Sequence, residues 1–196
     1  MNDPTVNGHL LPFKSKRPKI DPSVFVAHGA AVIGDVEIGR DSAVWYNCVL
    51  RGDVNEIRIG ERVNLQDATV IHVSTHGQGT YIGNDVSVGH QALLHACTLE
   101  DGAFVGMKAV VMDAARVAGG GMLAAGALLT PGKVVKSGEL WTGWPAKFRR
   151  DLTDEDREMM RWTAAHYVDL AREHAATLAG DYTEDEDAQV ENVGWS

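Results

Sequence analysis

An apolar side chain recurs every six residues through most of this chain, and no other feature constrains the fold as strongly. Helical faces repeat near 3.6 residues and flat strands near 2, so neither element explains a period of six. The period predicts a short strand, a corner and another short strand, with three faces closing one triangular coil of 18 residues. Twenty residues share this spacing and predict an all-β solenoid of six to seven coils, namely Ile20, Val26, Val32, Ile38, Val44, Leu50, Ile59, Leu65, Ile71, Ile82, Val88, Leu94, Leu99, Val105, Val111, Val117, Leu123, Leu129, Val135 and Trp141.

Two other positions of the six-residue repeat also favour particular side chains. Four residues after the apolar position the side chain is usually small, as at Ala30, Ser42, Cys48, Ala92, Ala103, Ala109 and Ala127. Glycine directly follows the apolar residue at Gly39, Gly60, Gly83, Gly89 and Gly106, which suits a chain that must bend after a short strand. Each coil buries its repeat residues only against its neighbours, so both ends of the solenoid need covers.

The residues after the repeat predict a helix that packs on the solenoid. Thr153 is a suitable N-cap, and the acidic residues 154–156 place negative charge in the first turn. The helix is expected to run to about Leu178, with an apolar stripe against the prism. We therefore expect a lead-in over 1–19, a solenoid over 20–146, a helical segment over 147–180 and an acidic, flexible tail over 181–196.

Charge and composition exclude several partners. Residues 1–150 carry 15 basic and 14 acidic side chains, whereas residues 151–196 carry 3 and 13, so no basic stripe is available to neutralise nucleic-acid phosphates. No segment approaches the roughly 20 apolar residues of a membrane helix, and the N-terminus lacks a signal-peptide core. We expect a cytoplasmic protein with no nucleic-acid or membrane partner, in which Cys48 and Cys97 are reduced packing residues.

Two of the eight histidines occupy the same place in the repeat. His72 follows Ile71 and His95 follows Leu94, so both side chains point outward. Their separation of 23 residues is one coil plus the five residues that interrupt the period after Ile71, so the two should stack on successive coils. Strands about 4.8 Å apart allow two imidazoles to bind one ion at about 2.0–2.1 Å each. The pattern predicts a metal site, with ordinary packing or surface histidines as the alternative.

The position of a third histidine predicts that several copies of the chain assemble. His90 lies two residues after Val88, on a different face of the same coil, and cannot easily join His72 and His95 in its own chain. In a homotrimer a different face of the neighbouring chain can supply it, which would make metal binding and trimer formation one event. Three imidazoles with a free fourth position are typical of catalytic Zn²⁺, and Co²⁺ or Fe²⁺ can take the same ligands.

Short polar motifs inside the repeat carry a family resemblance. They are Arg51-Gly52-Asp53, Asn64-Leu65-Gln66-Asp67, His72, His90 with His95 five residues later, and Gly143-Trp144-Pro145-Ala146. Together they look like the γ-class carbonic anhydrases, a family within the hexapeptide-repeat proteins, which form left-handed parallel β-helices. The handedness follows from the resemblance alone, because parallel crossovers otherwise favour the right hand.

The resemblance implies a zinc-dependent carbonate dehydratase, a lyase that reversibly hydrates carbon dioxide to bicarbonate with a metal-bound hydroxide at a trimer interface. His72, His90 and His95 would be the metal ligands, with His90 donated by the adjacent subunit. The other residues implied at the site are Gln66, which would hydrogen-bond the hydroxide, Asn64 beside it, Tyr167 on the helix, and an intersubunit ion-pair network of Arg51, Asp53 and Asp67. Core packing is the alternative role of Tyr167.

This chain departs from the family at two glutamates that serve proton transfer, because Val54 and Thr75 stand in their places. Return of a proton to water normally needs a titratable group, and His76 and Glu56 are the nearest substitutes in sequence. Three alternatives therefore stay open beside carbon dioxide hydration. They are a metal-dependent acyl-coenzyme A thioesterase, a hexapeptide-repeat acyltransferase and a non-catalytic trimeric scaffold.

Overall fold

The structure is a computed structural model that describes residues 5–181 as a parallel β-solenoid followed by one long helix. The first nine strands are β1 (His9–Leu11), β2 (Lys19–Ile20), β3 (Phe25–Val26), β4 (Ala31–Ile38), β5 (Ala43–Val44), β6 (Val49–Ile59), β7 (Asn64–Leu65), β8 (Val70–His72) and β9 (Thr80–Ile82). They are followed by β10 (Ser87–Val88), β11 (Leu93–His95), β12 (Thr98–Leu99), β13 (Phe104–Val105), β14 (Val110–Val111), β15 (Arg116–Val117), β16 (Met122–Leu123), β17 (Leu128–Leu129), β18 (Val134–Val135), β19 (Glu139–Gly143), β20 (Ala146–Asp151) and helix α1 (Asp154–Ala179).

Three faces of parallel strands wind around one apolar core. The first face is formed by β3, β5, β7, β10, β13, β16 and β19. The second face runs through β8, β11, β14 and β17, and the third through β9, β12, β15 and β18. The long strands β4 and β6 belong to both the second and the third face, because they continue around the corner between them.

The six-residue period is confirmed as the core of the solenoid. Eighteen of the twenty repeat residues are buried, and the two others, Ile20 and Trp141, are half-buried at the two ends of the series. The seven small residues four positions after the apolar ones are also buried, which lets the chain turn tightly around the core. Full burial of a Val, Leu or Ile side chain contributes about 1.5–3 kcal/mol, so the stacked repeat is the main source of stability.

The corners are made by the residue three positions after the apolar one, and the predicted role of the glycines is wrong. Asp41, Gly102 and Lys108 have φ of 57°, 68° and 58°, and this left-handed conformation recurs from coil to coil. Gly106, directly after Val105, does not adopt the left-handed conformation. A Cβ at Gly106 would lie 2.3 Å from the backbone nitrogen of Ala125 in the next coil. The glycines after the apolar residues therefore permit close stacking of coils.

The N-terminal residues form part of the solenoid. Strand β1 pairs in parallel with β4, with His9 opposite Ala31 and Leu11 opposite Ile33. Strand β2 pairs with the other end of β4. The described part of the predicted lead-in thus adds strands to the second and third faces and covers the first coil.

A hairpin and a helix close the other end. Strands β19 and β20 are antiparallel, so residues 147–151 are strand where the sequence predicted helix, and α1 begins only at Asp154. Thr153 is the N-cap, as predicted, and forms a capping box with Asp156. The helix packs along the first face against β3, β5, β7 and β10, and ends at Gly180. The predicted acidic tail lies outside the described residues from position 182 onward.

The cap gives a stability prediction. Thr153 Oγ1 accepts from the Asp156 backbone N–H, and the Asp156 carboxylate accepts from the Thr153 N–H. Thr153→Ala should lower the free energy of unfolding by about 1 kcal/mol, measured by urea denaturation at a fixed protein concentration. Thr75→Ala in an exposed loop is the control and should change it by less than about 0.5 kcal/mol. Equal urea midpoints for the two variants would contradict the capping role.

Candidate metal centre

His72 and His95 stack on the second face, as the spacing predicted. They are opposite one another in the pairing of β8 with β11, and their ring centroids lie 5.2 Å apart. His72 Nδ1 is 3.3 Å from His95 Nε2. Two nitrogen ligands of a tetrahedral ion, each bonded at 2.0–2.1 Å, stand about 3.3 Å apart. The imidazole pair therefore has the separation that one tetrahedral ion requires.

Each imidazole is held by a carboxylate on its outer side. The His72 Nε2–H donates to Asp53 Oδ1 at 3.0 Å, and the His95 Nδ1–H donates to Asp113 Oδ1 at 2.7 Å. In neutral rings this arrangement leaves His72 Nδ1 and His95 Nε2 as lone pairs that face each other. Two lone pairs at this distance repel unless a cation or a proton lies between them. Metal-ligating histidines almost always donate their second N–H in this way.

Arg51 extends the arrangement behind His72. It forms an ion pair with Asp53, whose other carboxylate oxygen accepts from His72. Burial raises the pKa of the Asp53 carboxyl, but the hydrogen bonds from His72 and Arg51 outweigh burial and hold that pKa below its usual value. Asp53 is therefore a carboxylate at neutral pH and a strong acceptor for the His72 N–H.

His90 lies at the corner between the first and second faces, away from the imidazole pair. Its Nδ1–H donates to Asp67 Oδ2 at 2.8 Å, so Asp67 pairs with His90 and not with Arg51 of its own chain. The remaining Nε2 of His90 is open to an ion. Within residues 5–181, no group of three His, Cys, Asp or Glu side chains of one chain could hold a metal.

Asn64 and Gln66 form a buried amide chain next to that corner. Asn64 Nδ2 donates to Ser87 Oγ at 2.8 Å, and Gln66 Nε2 donates to Asn64 Oδ1 at 3.2 Å. The backbone N–H of Gln66 donates to Val88, two residues before His90. Gln66, Asn64 and His90 therefore lie close together beside one corner of the solenoid.

Tyr167 lies on α1 over the first face, whereas the imidazole pair lies on the second. Its ring meets Trp45 edge-on with centroids 5.5 Å apart, in a cluster that includes Phe25 and Ala171. Burial, with a smaller contribution from the negative charge of Asp67, raises the pKa of the Tyr167 phenol. The described contacts of Tyr167 are packing contacts, and its implied role beside the site stays a prediction.

The corner loop between β8 and β9 begins directly after His72. Asn55 Nδ2 donates to the carbonyls of Ser74 and Gly77, and Thr80 Oγ1 donates to the His72 carbonyl at 2.7 Å. His76 is exposed in this loop. Glu56, the other candidate for proton transfer, is engaged on the third face by Arg58 at 3.0 Å and Tyr81 at 3.1 Å.

Two further residues that the sequence did not single out contact the predicted site residues, namely Asp113 at His95 and Ser87 at Asn64. Asp113 is 18 residues, one full coil, after His95 and could have been found by that spacing. Ser87 is 23 residues after Asn64, the same offset that separates the imidazole pair. Cys48 and Cys97 are both free and buried, and burial raises the pKa of each thiol to about 12, so neither is a ready thiolate nucleophile.

Comparison with known proteins adds named relatives. No family model matches the sequence. "Gamma carbonic anhydrase 2, mitochondrial" of Arabidopsis thaliana is 48% identical over 172 residues, and the chain spans 62% of its length. "Gamma carbonic anhydrase 3, mitochondrial" of the same plant is 43% identical over 90% of this chain and 70% of its own length. A solved "hexapeptide transferase family protein" from Anaplasma phagocytophilum is 49% identical, with a TM-score of 0.81 over 84% of this chain and 97% of that one.

The predicted cytoplasmic location is wrong, because both Arabidopsis relatives are mitochondrial by name. The prediction rested on the lack of a signal-peptide core and of a membrane span, and neither property distinguishes the cytosol from the interior of an organelle. Helix α1, the one helix among residues 5–181, is too polar to cross a membrane.

The fold and the sequence comparisons lead to the same family. The parallel solenoid matches solved hexapeptide-repeat proteins, whose coils are left-handed. The identity to a named γ carbonic anhydrase extends over more than two thirds of that relative. The chain therefore belongs to the γ-class carbonic anhydrase family of left-handed, hexapeptide-repeat β-helices.

Proposed function

We propose that this protein is a homotrimeric metalloenzyme that reversibly hydrates carbon dioxide to bicarbonate. The observation that carries the proposal is the pair of nitrogens of His72 and His95, which face each other at 3.3 Å while both outer nitrogens are held by carboxylates. The names of the relatives support the reaction. Zn²⁺ is the ion that best suits three imidazoles, with Co²⁺ or Fe²⁺ as alternatives. When bound, such an ion supplies a water whose pKa is lowered to about 7.

The third ligand in this proposal is His90 of a neighbouring subunit. Asp67 fixes His90 Nδ1 and leaves Nε2 for the ion. Val70 on the second face and Val54 at its corner with the third face are 38% and 45% exposed, and this apolar surface is one that a neighbouring chain would cover. The same contact would bring Asp67 of one subunit towards Arg51 of the next, which is the intersubunit part of the predicted ion-pair network.

Gln66 and Asn64 would act on the reacting water. Both are buried, and they lie on the same corner as His90, so the subunit that lends His90 also brings the amide chain. Asn64 holds the Gln66 amide nitrogen, which orients the Gln66 carbonyl oxygen as an acceptor. An acceptor fixed in this way can hold the O–H of the water and turn its lone pair towards the carbon of carbon dioxide.

Proton removal would fall to His76 rather than to Glu56. Glu56 is bound to Arg58 and Tyr81 on another face, whereas His76 is exposed in the loop that Asn55 and Thr80 hold next to His72. An exposed imidazole can accept a proton and release it to bulk water.

The proposal is tested by a stopped-flow assay of carbon dioxide hydration on zinc- or cobalt-loaded protein. The wild type should exceed His72→Ala by at least about 100-fold, because the variant lacks a ligand of the ion that activates water. His28→Ala, at an exposed position, is the matched control and should keep full activity. Equal rates in wild type and His72→Ala would overturn the proposal. A parallel panel of acyl-coenzyme A hydrolysis and transfer assays identifies a thioesterase or an acyltransferase instead.

A further inference from the structure

Asp113 has no role in any of the interactions inferred from the sequence, yet it makes the shortest contact to either paired imidazole. It lies at the corner after β14, in the coil that follows His95, and its Oδ1 accepts from His95 Nδ1 at 2.7 Å. The Asp113 side chain is 43% exposed, so the hydrogen bond does not result from crowding in the core.

We propose that Asp113 is a positioning residue for the metal centre, which it serves by fixing the tautomer and the ring orientation of His95. A carboxylate acceptor keeps the proton on Nδ1 and so leaves Nε2 as the lone pair that faces His72. The inference rests on the proposed metal site. It assigns Asp113 no contact with the ion or the substrate.

The backbone around Asp113 is fixed from both sides, as such a role requires. The N–H of Met112 donates to the Leu129 carbonyl in the following coil at 3.0 Å, and the N–H of Ala114 donates to the Ala96 carbonyl in the preceding coil at 2.8 Å. The Asp113 carbonyl itself accepts from Gly132 at 3.0 Å. The carboxylate is thus presented by a rigid corner, so little conformational entropy is lost when it binds His95.

The partners of Asp113 argue against a role in holding the fold. Within residues 5–181 its carboxylate forms no ion pair with a lysine or an arginine, and His95 is its side-chain partner. Asp53 differs in this respect, because Arg51 binds it as well as His72. Asp53 and Asp113 approach the imidazole pair from opposite ends, so the two rings are clamped between carboxylates of separate coils.

The test compares zinc affinity in wild type, Asp113→Asn and Asp101→Asn, measured by competition with a chromophoric chelator. Asp113→Asn should bind zinc about 10–100-fold more weakly, because a neutral amide no longer holds the Nδ1 proton. Asp101 is the matched control, since it lies two residues after Leu99 as Asp113 lies two residues after Val111. Its carboxylate also has a hydrogen bond of its own to lose, because Asp101 Oδ1 accepts from the Asn84 backbone N–H at 2.7 Å. Its replacement should leave zinc affinity within about twofold of wild type.

Two further measurements separate positioning from folding. The visible spectrum of cobalt-loaded Asp113→Asn should differ from wild type, while its thermal midpoint and its oligomeric state, both measured without metal, should not. Asp113→Glu keeps the charge and should recover part of the affinity. Metal-free wild type would overturn both this inference and the proposed function. Wild type with metal and unchanged affinity in Asp113→Asn would overturn the positioning role alone.

Discussion

Replacing His72 or His95 with alanine should leave the protein folded and without metal. The wild type should carry about one ion per chain after reconstitution, and each variant less than about a tenth of that, because two imidazoles cannot replace three at a tetrahedral site. Both side chains point outward from β8 and β11, and the strands are joined through the backbone, so the coil does not depend on either ring. Circular dichroism and the thermal midpoint of the metal-free protein should therefore match wild type.

Metal content is measured by elemental analysis after exhaustive dialysis. His76→Ala is a suitable control, since His76 follows the same strand in an exposed loop and should keep the full complement of metal. Variants of His72 and His95 that retain the ion at wild-type stoichiometry would refute the imidazole pair as its ligands. A variant that loses metal but keeps carbon dioxide hydration would separate the site from the activity.

The His90→Ala variant should lose both its bound metal and the stability of its trimer. If the ion joins two chains, its binding free energy contributes to assembly, and an ion at 100 times its dissociation constant adds about 2.7 kcal/mol per site. Removing His90 should therefore shift the trimer to higher protein concentrations in zinc, and a chelator should do the same to wild type. Analytical ultracentrifugation with and without a chelator measures both effects.

His28→Ala provides the matched control for this variant. His28 lies two residues after Val26, as His90 lies two residues after Val88, and both are on the corner between the first and second faces. Its replacement removes an imidazole from the same place in an earlier coil and should change neither metal content nor assembly. A monomeric His90→Ala protein that still holds a full complement of metal would refute the shared ligand.

Much of the fold was predictable because one spacing encodes it. A residue such as Val105 is buried by the residues one coil before and one coil after, so the period of six reports the core directly. The corners were assigned to the wrong residues, since a short backbone distance and a left-handed φ both favour glycine, and the sequence does not distinguish them. Strand β20 was missed because it lies after the last repeat residue and pairs antiparallel with β19, so no six-residue period marks it.

The site was predictable to the extent that it follows the coil. His72 and His95 share a register and could be paired by counting, and Asp113 follows from the same count. The engagement of Glu56 by Arg58 could not be foreseen, because neighbouring residues on a bent strand such as β6 can face different directions. The subcellular compartment cannot be predicted by counting repeat positions, because no property of the folded core depends on it.

The tie between Thr80 and the His72 carbonyl has a consequence for how this family can vary. This hydrogen bond closes the base of the loop over 73–79. Residues added to that loop or removed from it would therefore leave the strands on either side in place. The length of the loop can change while His72 and His95 stay in place. Descendants of one ancestor could therefore exchange the side chains of this loop without moving the imidazole pair.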